Sequence, residues 1–502
     1  MALGNFMAIL DIQIVASSIR DIQAGIAASA DELAWVQTAY LIAEVIAIPL
    51  SGYLGRAFSI PTFFAWAAGG FAVASAACGL AWNIESMIVF RAIQGFLGGA
   101  LIPTTMASAW LLFPLKYRNG VQIMIGMIVT IAPSIGPTVG GTITDALGWR
   151  WLFFINLVPA VIIAFLVPMC IRGLPKAQPE LLRKLDWLGL FSLAIFLGSL
   201  QLYLEEAPGD GWFATQKILT IFVVCALAAT VFFWRAFTVA EPIVSLKAFR
   251  NRNFAIGALI TFVIGIGLYG SVYLQPLFLG MIRGFGALQI GHVMFATGAA
   301  MFLTAPIIRT VGDKFDMRVV VAIGVVIAAI GCFTQSGLTH ESDFNEFILP
   351  QALRGMGFMF VFALMTQLAF ATLPPEEIQT ASGLFNLMRN LGGALGVAVL
   401  NALKDYYTVF HKTMLAPMLD PANPLVAARL QGLEAAMTAA GTHDPYLAAL
   451  AQMTAILNRE AMVMTFNNLF FIMGVIFLTS LIAMPLLKKP EGPPPAAASD
   501  AH

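Results

Sequence analysis

Apolar residues run in blocks of about twenty along this chain, and short polar clusters separate the blocks. A helix that crosses the roughly 30 Å hydrocarbon core of a bilayer needs about 20 such residues, because a helix satisfies its own backbone polar groups where no water does. Fourteen segments fit: 1–19, 33–51, 61–80, 85–112, 121–144, 151–171, 187–204, 218–234, 254–279, 291–308, 319–335, 347–373, 381–403 and 465–487. The pattern predicts an all-α polytopic membrane protein. The N-terminal block lacks the basic start of a secretory signal and is followed by many more blocks, so it reads as the first span.

Composition agrees with this pattern. Hydrophobic residues make up 59% of the 502 and charged residues 11%, with a mean hydropathy of +0.85; no water-soluble core hides that much apolar surface. The formal net charge is zero, and no Lys/Arg cluster with interleaved aromatics is present, which argues against nucleic acid as a partner. Cys78, Cys170, Cys225 and Cys332 lie in apolar runs without metal-ligand spacing and read as small hydrophobes. No GxxxxGK[ST] loop and no nucleophile–base constellation is found, so direct use of ATP and a membrane-bound enzyme are both disfavoured and no cofactor is implied.

With the N-terminus inside, the cytoplasmic connections carry roughly twice as many Lys and Arg as the opposite side, so the positive-inside rule and an even span number place both termini in the cytoplasm. The halves also echo each other. Arg91-Ala-Ile-Gln94-Gly95 in the fourth span is matched by Gln351-Ala-Leu-Arg354-Gly355 in the twelfth, and Gly52-Tyr53-Leu54-Gly55-Arg56 by the 312–318 connection. The simplest division is a six-helix bundle at 1–171, two inserted helices with linkers at 172–253, a second six-helix bundle at 254–487 with an outside loop at 404–464, and a disordered cytoplasmic tail at 488–502. Transporters use such repeats to set a midplane site between two rocking halves.

An ionisable side chain at mid-membrane costs at least about 2.5–3.5 kcal/mol, so each one needs a reason. Asp11 and Glu44 fall roughly 14–16 Å from the outer ends of their helices and Arg91 about 9 Å from the same surface, so the cation offsets the burial of both acids. These three are the expected proton-coupling group, Asp11 first; a purely structural role is the alternative. In the fifth span Pro133, Gly136, Pro137, Gly140 and Gly141 predict a kinked, smooth helix, either a hinge or a packing seam. Arg389, with Asn386 beside it, is too deep in the thirteenth span for a surface residue and is expected to face a cavity. Glu205, Glu206 and Asp210 read as a solvated loop and His292 as the interfacial start of a helix.

These residues resemble the fourteen-span drug/proton antiporters of the major facilitator superfamily, the EmrB/QacA type, over essentially the whole chain. The likeness is carried by Leu10-Asp11-Ile12-Gln13-Ile14-Val15, by Arg91 to Gly99, by Gly136-Pro137 to Gly141, by Trp149 to Asn156, and by Ser382 through Arg389 to Gly396. It implies the major facilitator fold, two six-helix bundles plus two inserted helices, and export across the inner membrane by alternating access, with Asp11 in proton coupling and 133–141 as the antiporter motif. A gating ion pair is implied in the 52–56 and 312–318 connections. Here Gly52 and Arg56 keep only part of it, because residues 55–59 lack the acid, and Asp313 with Arg318 keep it better. The chain begins almost at the Asp11 helix, which points to a truncated first span or a misassigned start. Helical stretches near 425–440 and 445–456 have apolar and polar faces, and the resemblance implies that the outside loop meets a periplasmic adaptor protein leading to an outer-membrane channel.

The expected substrate is a small amphipathic compound moved against protons. Gln13, Trp35, Tyr40, Gln94, Tyr269, Tyr273, Gln275, Phe385, Asn386 and Arg389 are the expected cavity lining. A proton-coupled importer on the same scaffold is the competing reading, and the Gly136-Pro137 motif weighs against it.

Overall fold

The computed structural model describes residues 1–488 except 27, 30, 31, 33, 172, 175, 240, 313, 314 and 421, so Asp313 and the tail at 489–502 lie outside the described residues. The N-terminal half is built from α1 (Ala2–Ser17), α2 (Trp35–Phe58), α3 (Ile60–Gly79), α4 (Ile84–Leu112), α5 (Leu115–Leu147) and α6 (Leu157–Cys170). After α7 (Trp187–Glu206) and α8 (Gln216–Thr238) come α9 (Arg252–Met281), α10 (Ala287–Gly312), α11 (Met317–Gln335), α12 (Phe344–Phe370) and α13 (Pro375–Leu415). The chain ends in α14 (Pro424–Ala439) and α15 (Pro445–Thr479). Polar residues at the block edges start several of these helices. Asn83 and Ser86 form a reciprocal capping box at α4, and Asp186, Thr215, Asn251, Asp316, Asn423 and Asp444 accept from the first-turn N–H groups of α7, α8, α9, α11, α14 and α15.

All fourteen expected segments are helical, but among the described residues twelve helices are long and apolar enough to cross a membrane. The other two are α1, which has only 16 residues, and α5, a helix of 33 residues not all of whose side chains are among those described. The expected outside loop at 404–464 is largely helix: α13 runs on to Leu415, and the second amphipathic stretch is the beginning of α15, continuous with the last span. Only α14 folds back, burying Leu433 with Ala449 and Met453. Glu205 and Glu206 are the last turn of α7 rather than a loop; Thr38 Oγ1 donates to Glu205 Oε1 (2.5 Å), and Lys217 pairs with Glu206.

The packing repeats itself. In the first half α2 packs on α4, α1 on α5 and α3 on α4 and α6; in the second α10 packs on α12, α9 on α13 and α11 on α12 and α15. Two seams join the halves, α5 with α10 and α13 with α2, and the repeat that relates the bundles relates these seams as well. Glycines make the closest approaches. A Cβ on Gly99 would come within 2.6 Å of the Glu44 carbonyl oxygen, one on Gly95 would strike the Tyr40 backbone, and Gly265 and Gly392 meet the opposing backbones of α13 and α9 in the same way. Without a hydrophobic drive between helices in lipid, this close dispersion contact is what holds them together. At the ends carrying Arg56 and Lys247, here the basic face, the halves meet through Gly52 against Thr380 and Gly383 against the Ile48 carbonyl.

Candidate functional site

Asp11 is fully enclosed in the first bundle, and three side chains hold its carboxylate. Arg91 Nη1 of α4 donates to Oδ2 (2.5 Å), while Gln94 Nε2 (2.9 Å) and Asn156 Nδ2 (2.7 Å), just before α6, donate to Oδ1. Ser75 Oγ of α3 accepts from both amides (3.0 and 3.2 Å) and donates to the Phe153 carbonyl. Arg91 is itself fixed by Gln94 Oε1 (2.7 Å), by the Val36 carbonyl (3.1 Å) and by the Tyr40 ring 4.3 Å away. Such a cluster is worth keeping in a dry interior only if its charges are matched. Protonating Asp11 would leave Arg91 without its counter-charge, held by Gln94, the Val36 carbonyl and the Tyr40 ring.

Glu44 is arranged differently. Its side chain is buried, but among the described residues it makes no ion pair within 4 Å, so Arg91 is the partner of Asp11 rather than of both acids. The cations within electrostatic range of Glu44 are Arg389 and then Arg91. Arg389 is buried on α13 with Nε unpartnered, so this acid and base approach from opposite halves. Beside them Tyr269 of α9 donates to Asn390 Oδ1 (2.9 Å) and Tyr273 to Asn401 Oδ1 (2.9 Å). Towards the basic face the gap is filled by a layer of rings: Trp110 on Phe370 (5.6 Å), Phe370 on Phe385 (5.4 Å) and Phe254 on Phe370 (6.1 Å).

Comparison with known proteins places this geometry. Residues 1–397 match the Major Facilitator Superfamily. The chain belongs to that superfamily. It is 41% identical to the Colistin resistance protein EmrB of Acinetobacter baumannii, over 96% of this chain and 94% of the relative, and 30% identical to the Multidrug export protein EmrB of Escherichia coli K12, over 98% and 95%. Among solved structures it superposes on the major facilitator proton:xylose symporter XylE (TM-score 0.57, 16% identity, 98% and 95% covered). It also superposes on a bacterial homologue of the lysosomal transporter Spinster (TM-score 0.55, 14% identity, 98% and 97% covered). These two likenesses speak for the fold alone.

In this facilitator several expected positions move. Tyr40 and Gln94, expected at a cavity wall, are enclosed in the Asp11 cluster, because α2 and α4 are drawn together at the α4 glycines. Gln275 turns into the second bundle towards Arg354, and Phe385 belongs to the ring layer. Asn386 is bound across the halves, its Nδ2 donating to the Ser382 carbonyl (2.9 Å) and touching Met106 Sδ (3.5 Å), while Ser382 Oγ donates to the Pro103 carbonyl (2.7 Å). Gln13, Trp35, Tyr269 and Tyr273 remain partly accessible. α5 is helical throughout 133–141, and a Cβ on Gly136 would strike Gln13 of α1, so this glycine serves close packing. Arg318 pairs with Asp316 (2.6 Å) and donates to the Leu487 carbonyl (2.9 Å); the expected partner Asp313 lies outside the described residues. Arg56 closes the end of α2, where Tyr53 donates to the Leu181 carbonyl (2.5 Å). Ser75 and Asn156 were not expected at the site. Asn156 carries a readable signal, an amide beside a run as apolar as α6, whereas Ser75 carries none among the small residues of α3.

Proposed function

We propose that the chain is a proton-coupled exporter of small amphipathic compounds, working by alternating access in an inner membrane with both termini cytoplasmic. The observation that carries this reading is the enclosed Asp11–Arg91 pair, with Gln94 and Asn156 completing the carboxylate's shell inside one rocking half. A proton arriving at Asp11 removes the counter-charge of Arg91, whose guanidinium lies between the α1 acid and the α2 backbone, so charge at this point is coupled to how α1, α2 and α4 sit together. Glu44 and Arg389 bring the same chemistry to the seam between the halves. The relatives, which include a Multidrug export protein and a Fatty acid resistance protein FarB of Neisseria gonorrhoeae (28% identical), support export of apolar or amphipathic compounds. Fourteen crossings follow if α1 and α5 also span. The helices that run beyond the apolar core at α13, α14 and α15 are the surface on which a periplasmic adaptor leading to an outer-membrane channel would sit.

The test is substrate-induced proton movement in proteoliposomes. Asp11→Asn keeps shape and two acceptor sites' worth of hydrogen bonding but does not titrate; it is expected to bind substrate while losing uphill export. Export by this variant at the parent proton stoichiometry would remove Asp11 as the carrier.

A further inference from the structure

We propose that the C-terminal half holds a small monovalent anion in a cradle formed by Arg354 and the amides of Gln275, Gln335 and Gln351. Arg354 of α12 is 1% exposed and sits among α9, α11 and α15. Its Nη2 donates to Gln275 Oε1 (3.2 Å) and its guanidinium lies 5.7 Å from the Phe470 ring, but Nε and Nη1 have no hydrogen-bond partner. Among the described residues no carboxylate pairs with it within 4 Å, and its titratable neighbour is the thiol of Cys332, a weak neutral acceptor within hydrogen-bond reach of the guanidinium. A buried guanidinium left without a counter-charge is among the costliest groups a membrane interior contains.

Amides on α12 itself and on the helices packed against it are unsatisfied mainly as donors. Nε2 of Gln275, of Gln335 and of Gln351 is buried and unpartnered, and these side chains are 1%, 1% and 3% exposed. Gln351 Oε1 already accepts from Thr297 Oγ1 (2.6 Å), which leaves its amide N–H groups free. Gln335 stands one turn beyond Gly331 on α11, and a Cβ on Gly331 would come within 2.8 Å of Arg354 Cγ, so this helix lies directly on the arginine. Five of the six unpartnered atoms on these four residues are donors. Five donors against one acceptor, Gln335 Oε1, around one positive charge call for one negative charge.

The other half shows what fills such a cradle. Arg91 and Gln94 of α4 correspond to Gln351 and Arg354 of α12 in the repeat, and there Asp11 of α1 supplies the carboxylate. In the second half α9 takes the place of α1, and it offers the neutral Gln275. The anion stands where the Asp11 carboxylate stands in the first half. Chloride and the carboxylate of a transported compound share the required chemistry.

The intact chain, purified in detergent, is melted at constant ionic strength in sodium gluconate, with chloride or acetate replacing it stepwise. The melting temperature is expected to rise with the logarithm of chloride concentration, as for any ligand that binds only the folded state. A rise with acetate and none with chloride assigns the cradle to a carboxylate. Arg354→Gln is expected to erase either response. Gln275→Glu builds the negative charge into α9; it is expected to melt in gluconate where the parent melts in saturating anion, and to respond to neither ion. If Arg354→Gln does not fold, Gln275→Glu carries the test alone. Equal melting of the parent in all three salts, or a response that Gln275→Glu keeps, overturns the site.

Discussion

Among the described residues three arginines are buried, and each meets a different answer to its charge. Arg91 has an acid at 2.5 Å, Arg354 has neutral amides, and Arg389 has an acid across the seam at a longer range. The last arrangement makes a direct prediction. If Glu44 and Arg389 sense each other across the halves, Glu44→Gln and Arg389→Gln each lower export, and the double variant loses less than the product of the two losses. Coupling of about 0.5–3 kcal/mol corresponds to a shortfall of roughly 2- to 150-fold in transport rate measured in inverted vesicles. Strictly multiplicative losses would show that the two act apart. The individual charges were legible in the sequence because an ionisable group in an apolar block has a known cost. Their pairing was not, since Glu44 and Arg389 are far apart in sequence and equal depth is all that residue counting supplies. Depth alone gave Arg91 to both acids, and only side-chain direction assigns it to Asp11.

At the scale of elements, glycines at 95 and 99 bring α4 onto α2, and a tie at the edge of α7 and α8 fixes the inserted pair. Asp186 caps α7 through Gly189 N–H (3.0 Å) and accepts from Arg235 Nη2 (2.8 Å) and Nε (3.1 Å) of α8. Burial alone would raise this carboxyl, but the Arg235 and Gly189 N–H groups and the Arg235 charge outweigh it and hold it below the usual carboxylate value. A depressed acid adds stability that is present above its unfolded value of about 3.9 and is lost as pH falls through the lower folded value. Asp186→Asn is therefore expected to cost about 1–3 kcal/mol near neutral pH, and its melting curve should converge on the parent's below about pH 4. A gap that stays constant with pH would mean that the charge contributes nothing. The helices themselves were readable from block length. Their ends beyond the bilayer were less so, because α13 and α15 continue past their apolar runs on polar, helix-compatible sequence that hydropathy does not mark.

The whole molecule is two similar bundles whose repeat also generates the two seams between them. If the basic face is cytoplasmic, a cysteine at Ala439 on α14 is labelled by a membrane-impermeant maleimide in intact cells, and one at Lys247 is labelled only after lysis, both in a background without Cys78, Cys170, Cys225 and Cys332. Labelling of the Lys247→Cys variant in intact cells would invert the topology. Likeness between the halves was visible in the paired Arg/Gln motifs, but the position of α7 was not, since an inserted apolar helix looks the same wherever it packs. That position has a consequence. α7 lies against α2 through Gly198, where an added Cβ would meet Ile42 Cγ2 at 3.3 Å, and through Thr38 with Glu205, and against α13 through Tyr203 and Leu204 beside Ala398. One seam is thus bridged by a further helix, while among the described residues no inserted helix packs on both α5 and α10. If the halves rock as proposed, the two sides do not share the swing evenly: α7, packed on both α2 and α13, has to slip on one of them, and on α13 the side chains it meets are Ala394, Leu395 and Ala398.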